Sequence, residues 1–206
     1  MPEKLATDVF SEWAKIGKDE GMERGHSASV NAMLDMVVPK LSEGFSAIDI
    51  GCGNGWVVRK LLEMGAAHCE GVDGAEEMIA KANSIDPDGK YSLGRLPGWV
   101  PEKKFDFVHT MEFLYYLEKP EEFLSEIRTH WLNEGGFFIA GVDHYLENEE
   151  SLTWPEYVGV HMTTFSIEQW TKHMENAGFN NIEIHQVASK DDFPGTLVMM
   201  GQASHQ

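Results

Sequence analysis

The chain reads as an α/β protein: a mainly parallel sheet with helices on both faces. Three observations predict this. Short apolar runs alternate with stretches of helical spacing, which requires crossover connections. An apolar run at 45–50 leads through a glycine-rich turn into a helix at 56–62. The last two apolar runs, 181–187 and 196–201, are joined by eight residues with no room for a helix, so they form a hairpin.

The elements follow in order. Leu5, Val9, Trp13 and Ile16 have helical spacing, as do Val30, Met33, Leu34, Val37 and Val38 ahead of Pro39. A polar, glycine-bearing link at 17–26 separates the two helices. After the strand at 45–50 and the helix at 56–62 come a second strand ending at Asp73 and a helix at 75–83. A short third strand at 91–93 and a fourth at 105–110 follow. Pro120 opens a helix over 121–131 with acids in its first turn, as the helix dipole favours. The fifth strand covers 137–142. Ser166 and Gln169 make a capping-box pattern before a helix that stops at Gly178. One domain spans 1–206: a helical cap at 1–44, a core at 45–142, an irregular lid or substrate segment at 143–164, and a C-terminal helix with its strand pair at 165–206.

The glycine turn selects its ligand. Backbone N–H groups at a glycine loop and helix N-terminus let a ligand approach closely. The dinucleotide fingerprint needs a glycine where Trp56 stands, and Asp49, two residues before Gly51, would repel a pyrophosphate. A carboxylate there suits a ligand with positive charge, such as S-adenosylmethionine with its sulfonium and ammonium. Asp73 ends the second strand, where an acid accepts from both ribose hydroxyls.

Asp49-Ile50-Gly51-Cys52-Gly53-Asn54-Gly55 and Gly71-Val72-Asp73-Gly74 resemble the first two motifs of class I S-adenosylmethionine-dependent methyltransferases. The resemblance continues at Phe105-Asp106-Phe107-Val108, at Leu132-Asn133-Glu134-Gly135-Gly136, and from Phe165-Ser166 to Ala177-Gly178-Phe179. It implies a Rossmann-like sheet of seven strands, the last antiparallel and inserted between the fifth and sixth. It implies S-adenosylmethionine as cofactor, held by Asp49, Gly51, Gly53, Gly55, Asp73, Gly74 and Met78, with Thr110 and Met111 beside the sulfonium. The family's acid before Leu96-Pro97 is missing, Ser92 or Leu93 standing in its place, so backbone groups of Leu93 and Gly94 are expected at the adenine. Glu112 and His144 are the candidate catalytic groups. His26, Tyr115, Tyr116 and His161 are candidate substrate contacts. The same loop would serve a protein that binds the cofactor without turnover. A nicotinamide-dependent oxidoreductase on a similar sheet is disfavoured by Asp49 and Trp56.

Composition bounds the rest. The 206 residues carry 34 acids against 16 Lys and Arg, a net charge of −18, which argues against nucleic acid as substrate and for a small-molecule acceptor. No apolar run reaches a membrane span, and the first residues lack a signal-peptide pattern. Two cysteines outside any Cys-x-x-Cys pair suit a reduced, cytoplasmic protein. The 9 histidines lack metal-site spacing, so no metal is expected.

Overall fold

A computed structural model describes residues 3–203. Seven strands form one sheet: β1 (Ser46–Ile50), β2 (His68–Asp73), β3 (Lys90–Leu93), β4 (Phe105–Met111), β5 (Leu132–Val142), β6 (Phe179–Val187) and β7 (Thr196–Ala203). Their order is β3-β2-β1-β4-β5-β7-β6. The first five are parallel, and β7 runs antiparallel between β5 and β6. The strand order reverses between β1 and β4. In open α/β sheets a crevice opens at the carboxyl ends of such a pair, and ligands bind there.

Six helices flank the sheet: α1 (Ala6–Lys15), α2 (Glu20–Val37), α3 (Trp56–Glu63), α4 (Glu76–Ile85), α5 (Pro120–Glu126) and α6 (Ile167–Asn176). Two of them start at a signal in the sequence. Pro120 fills the first turn of α5. Ser166 and Gln169 form both halves of a capping box on α6. One core layer gathers Phe123, Trp131, Tyr145, Trp170 and Met174. The other gathers Met33, Leu34, Leu61, Phe107 and Ile139 beneath α2 and α3. Both layers are apolar because parallel strands covered on two faces leave no room for solvated side chains.

Three expectations need correction. The link at 17–26 is mostly helix: α2 begins at Glu20, and only 16–19 connect it to α1. Gly21 and Gly25 cost helix propensity of about 1 kcal/mol each, yet α2 is anchored on both sides of them, by Asp19 on Asn54 and Lys81 and by Ser29 on Thr196. The helix over 121–131 gives way at Ile127 to a π-helical turn, Ile127–Trp131. Strand β5 then begins earlier than expected, at Leu132, with a register irregularity between Phe105 and Phe107 of its neighbour β4.

The 143–164 segment is irregular as expected, with short helical turns at Glu149–Thr153 and Pro155–Gly159. Its end meets the N-terminus. The Lys4 N–H donates to Gly159 O at 2.9 Å, and Lys4 and Val160 form an isolated parallel bridge. This tie carries α1 across the carboxyl ends of the strands.

Candidate active site

The glycine loop is pinned to β2 by its own backbone. Gly51 and Cys52 N–H groups donate to Val72 O at 2.8 and 3.1 Å. Gly53 lies at φ +52°, in the left-handed region, and its N–H donates to Asp73 Oδ2 at 2.9 Å. The other oxygen of Asp73 accepts from Ala75 N–H at 2.7 Å, at the start of α4. One carboxylate therefore joins the loop to the second strand and helix. Burial pushes the Asp73 carboxyl up, and these backbone donors partly offset that. Gly55 has a different reason. It sits at φ +80°, and a Cβ there would lie 2.4 Å from the Tyr91 ring, so packing holds this position to glycine.

Asp49 is buried and accepts from His109 Nδ1 at 2.7 Å. The two residues are register partners on β1 and β4. His109 Nε2 is buried without a partner among the described residues. Asp19, just before α2, is also buried. It accepts from Asn54 Nδ2 of the loop at 3.0 Å and from Lys81 Nζ of α4 at 2.8 Å. Burial pushes its carboxyl up, but the Lys81 and Asn54 hydrogen bonds outweigh this and hold it below the usual range. Thus the N-terminal helices are fastened onto the glycine loop.

These parts enclose a cavity of about 220 Å³. Its floor is Asp49, Gly51, Cys52, Gly53, Asp73, Gly74 and Met78, and its far wall Met111, Glu112, Phe113 and Tyr116. Leu5, Ala6, Thr7, Phe10, Met22 and His26 roof it, and Arg95 and Leu96 close the side. Four acidic residues, Asp19, Asp49, Asp73 and Glu112, line it with a single arginine, Arg95. That lining fits a ligand bearing a sulfonium and an ammonium.

Beyond β4 the chain turns at Glu112, whose φ of +54° is unusual for a side-chain-bearing residue. Its Oε1 accepts from Asp143 N–H at 2.5 Å and its Oε2 from Tyr115 O–H at 2.7 Å. Burial first, then the Asp143 charge, hold the Glu112 carboxyl well above its usual range. Asp143 in turn accepts from Thr196 Oγ1 at 2.6 Å, and its other oxygen lies 3.8 Å from His26 Nδ1.

The structure brings together seven of the expected cofactor residues on the cavity: Asp49, Gly51, Gly53, Asp73, Gly74, Met78 and Met111. Four lie elsewhere. Gly55 packs on Tyr91. Thr110 is buried, and its hydroxyl donates to Ile50 O at 2.8 Å. Leu93 is exposed at the sheet edge, and Gly94 is held small by Trp99 and Val72. On the acceptor side Glu112, Tyr116 and His26 line the cavity. His144 does not: it is fully buried, with both ring nitrogens occupied by Ser151 O and Thr164 Oγ1. Tyr115 is buried behind Tyr116, and His161 binds Thr163 outside the cavity. No residue of 143–164 reaches the lining, so the roof belongs to the N-terminal helices and the later segment only buttresses it. Asp19, Asn54, Phe10 and Phe113 were not foreseen.

Both cysteines are free and buried. Among the described residues no cluster of His, Cys, Asp or Glu could hold a metal ion, and no helix is long and apolar enough to cross a membrane.

A methyltransferase domain family model matches residues 19–184. The tRNA U34 carboxymethyltransferase of Idiomarina loihiensis is 26% identical over 183 residues, covering 81% of this chain and 56% of that protein. The chain spans about half the length of the curated tRNA U34 carboxymethyltransferases that it matches. A structure of the Haloferax volcanii Trm112 methyltransferase activator in complex with a methyltransferase matches with TM-score 0.81 and 28% identity, covering 95% of this chain and 98% of the matched one. A Burkholderia thailandensis 1,6-didemethyltoxoflavin N1-methyltransferase, solved with S-adenosylhomocysteine, shares the fold at TM-score 0.75 and 16% identity, covering 98% of this chain and 88% of that one. The relatives correct the expectation of a small-molecule acceptor and no nucleic acid. Proteins named for tRNA are 26–28% identical to this chain, and a similar structure is bound to an activator protein. Net charge measures only the chain's own attraction for phosphates, and a partner or high salt changes that balance.

Proposed function

Because the chain belongs to the class I S-adenosylmethionine-dependent methyltransferases, we propose that its acceptor is a nucleotide of an RNA and that an activator protein of the Trm112 kind assists the reaction. The observation that carries this is the pairing of tRNA-directed relatives with near-complete coverage of a chain from the Trm112 complex. The charge explains why a partner is needed. A chain of net charge −18 repels a phosphate backbone, so RNA contacts must come from a second protein or under strong screening. The cavity suits a flat base. Phe10, Phe113 and Tyr116 are aromatic residues of its lining, with His26 and Glu112 as polar groups.

The cofactor supplies a methyl group on an already activated sulfur, so catalysis is largely alignment. In this reading Asp49 draws the ammonium and Asp73 the ribose hydroxyls. Met78 borders the adenine and Met111 the reacting end. The roof of α1 and the start of α2 excludes water.

The test is transfer of tritium from methyl-labelled S-adenosylmethionine to total tRNA, with and without a co-expressed Trm112-type protein. Label in the tRNA, removed by ribonuclease and dependent on the partner, is expected. Label confined to protein or to small solutes would refute the RNA acceptor.

A further inference from the structure

We propose that His26 is the general base that takes the proton from the acceptor, and that Asp143 is the positioning residue behind it. The inference rests on the reading above only in needing an acceptor N–H or O–H methylated in this cavity.

The geometry converges on one corner. His26 lines the cavity from α2 with its ring about a quarter exposed. Its Nδ1 faces Asp143 Oδ2 at 3.8 Å, and Nε2 makes no hydrogen bond among the described residues. Asp143 is fixed on its far side, where Oδ1 accepts from Thr196 Oγ1 at 2.6 Å. Thr196 is paired at 2.7 Å with Ser29 Oγ, and Ser29 lies one turn beyond His26 on the same helix. The Ser29–Thr196 contact therefore clamps α2 to β7 and sets His26 opposite Asp143. A carboxylate behind one ring nitrogen, with the other ring nitrogen facing the reacting group, is the arrangement of an oriented imidazole base. Such pairs start long and tighten once the acceptor fills the site.

Glu112 is the rival base. It is less suited, since both its oxygens already accept hydrogen bonds from the wall, from Tyr115 O–H and Asp143 N–H. Burial pushes the His26 imidazole below its ordinary value, and the Asp143 charge offsets part of this. A neutral imidazole is what a base requires. The other ionisable groups on the cavity are Asp19, Asp49, Cys52, Asp73, Tyr116 and Arg95.

The step balances. The S–CH3 bond breaks with its electron pair left on sulfur as the acceptor–CH3 bond forms. His26 Nε2 receives the acceptor's proton and returns it to solvent.

Two measurements decide. Ring NMR titration of the protein without ligand should move the His26 midpoint to lower pH in Asp143→Asn, which removes the favourable charge and keeps an acceptor for Thr196. With labelled cofactor and a whole-cell extract as acceptor pool, His26→Gln should lose about 100-fold in turnover. Its S-adenosylhomocysteine affinity should stay within about threefold. Asp143→Asn should shift the acid limb of the pH profile downward, because the rate falls as pH drops through the His26 midpoint. A smaller loss in His26→Gln, or an unmoved midpoint in Asp143→Asn, overturns the assignment. Ribonuclease treatment of the same extract tests the RNA reading separately. Label that resists ribonuclease yet is lost in His26→Gln removes the RNA and keeps the base.

Discussion

Asp73 does two jobs with one carboxylate. It staples Gly53 and Ala75 together and faces the cavity where the ribose is expected. Asp73→Asn keeps one acceptor oxygen for two backbone donors. A charge-assisted hydrogen bond is worth about 1.5–3 kcal/mol, so S-adenosylhomocysteine affinity should fall about tenfold or more and the melting temperature should drop as well, by calorimetry on both variants. Unchanged affinity would remove Asp73 from the binding site. Glu112 gives a pH signature. Its carboxyl is held above its unfolded value of 4.5, so the folded protein prefers it protonated. That contribution to stability is complete below the unfolded value and is lost as pH rises through the folded one. Glu112→Gln should therefore gain in melting temperature over the native chain as pH rises from about 5 to about 8. A constant difference across that range would show that Glu112 is ionised throughout. At this scale the placement of Asp49, Gly51, Gly53 and Asp73 on one cavity was legible because a strand, turn and helix place them locally. The Asp49–His109 pair and the Asp19–Asn54–Lys81 group were not, since their members lie 60, 35 and 62 residues apart. Strand register and helix docking bring them together. His144 misled because the end of β5 suggested a site residue, whereas the chain turns there and buries the ring against Ser151 and Thr164.

Among the elements, α1 is the part whose place the pattern of apolar residues left open. It lies across the site because Lys4 pairs with the chain beside Val160, Thr7 packs into the space over Gly74, and Phe10 meets Tyr116 edge-on at 5.3 Å. Such a strap has few buried residues, Ala14 alone along α1, so it opens at low cost. Hydrogen exchange in 6–15 and 20–26 should slow on adding S-adenosylhomocysteine, more than in α5. The 143–164 segment should change less, because it supports the roof without touching the cavity. Equal slowing in α5 would mean general stabilisation rather than closure. The alternation of strand and helix was legible because each element has its own period. The start of α2 at Glu20 was not, because Gly21 and Gly25 read as a link and only the docking of Asp19 shows otherwise.

For the whole molecule, the surplus of 18 negative charges dominates long-range behaviour. Self-repulsion destabilises the compact state, and salt shortens its reach from about 10 Å at 0.1 M to about 3 Å at 1 M. The melting temperature should rise with sodium chloride over that range, each 1 kcal/mol gained showing as about 2–4 °C. A fall with salt would mean that local ion pairs such as Lys81–Asp19 outweigh the net repulsion. The same charge argues against nucleic acid when the sequence is taken alone, because composition reports a lone chain and says nothing of what binds it.

The proposed chemistry requires the cavity beneath α1 to be the methyl donor's site. Titration calorimetry tests that most directly, with S-adenosylhomocysteine and NAD titrated separately into the native chain and Asp49→Ala. The structure predicts 1:1 binding of S-adenosylhomocysteine, weakened about tenfold or more when the charge beside the glycine loop is removed, and no heat with NAD. Binding of NAD, or S-adenosylhomocysteine affinity indifferent to Asp49, would contradict it.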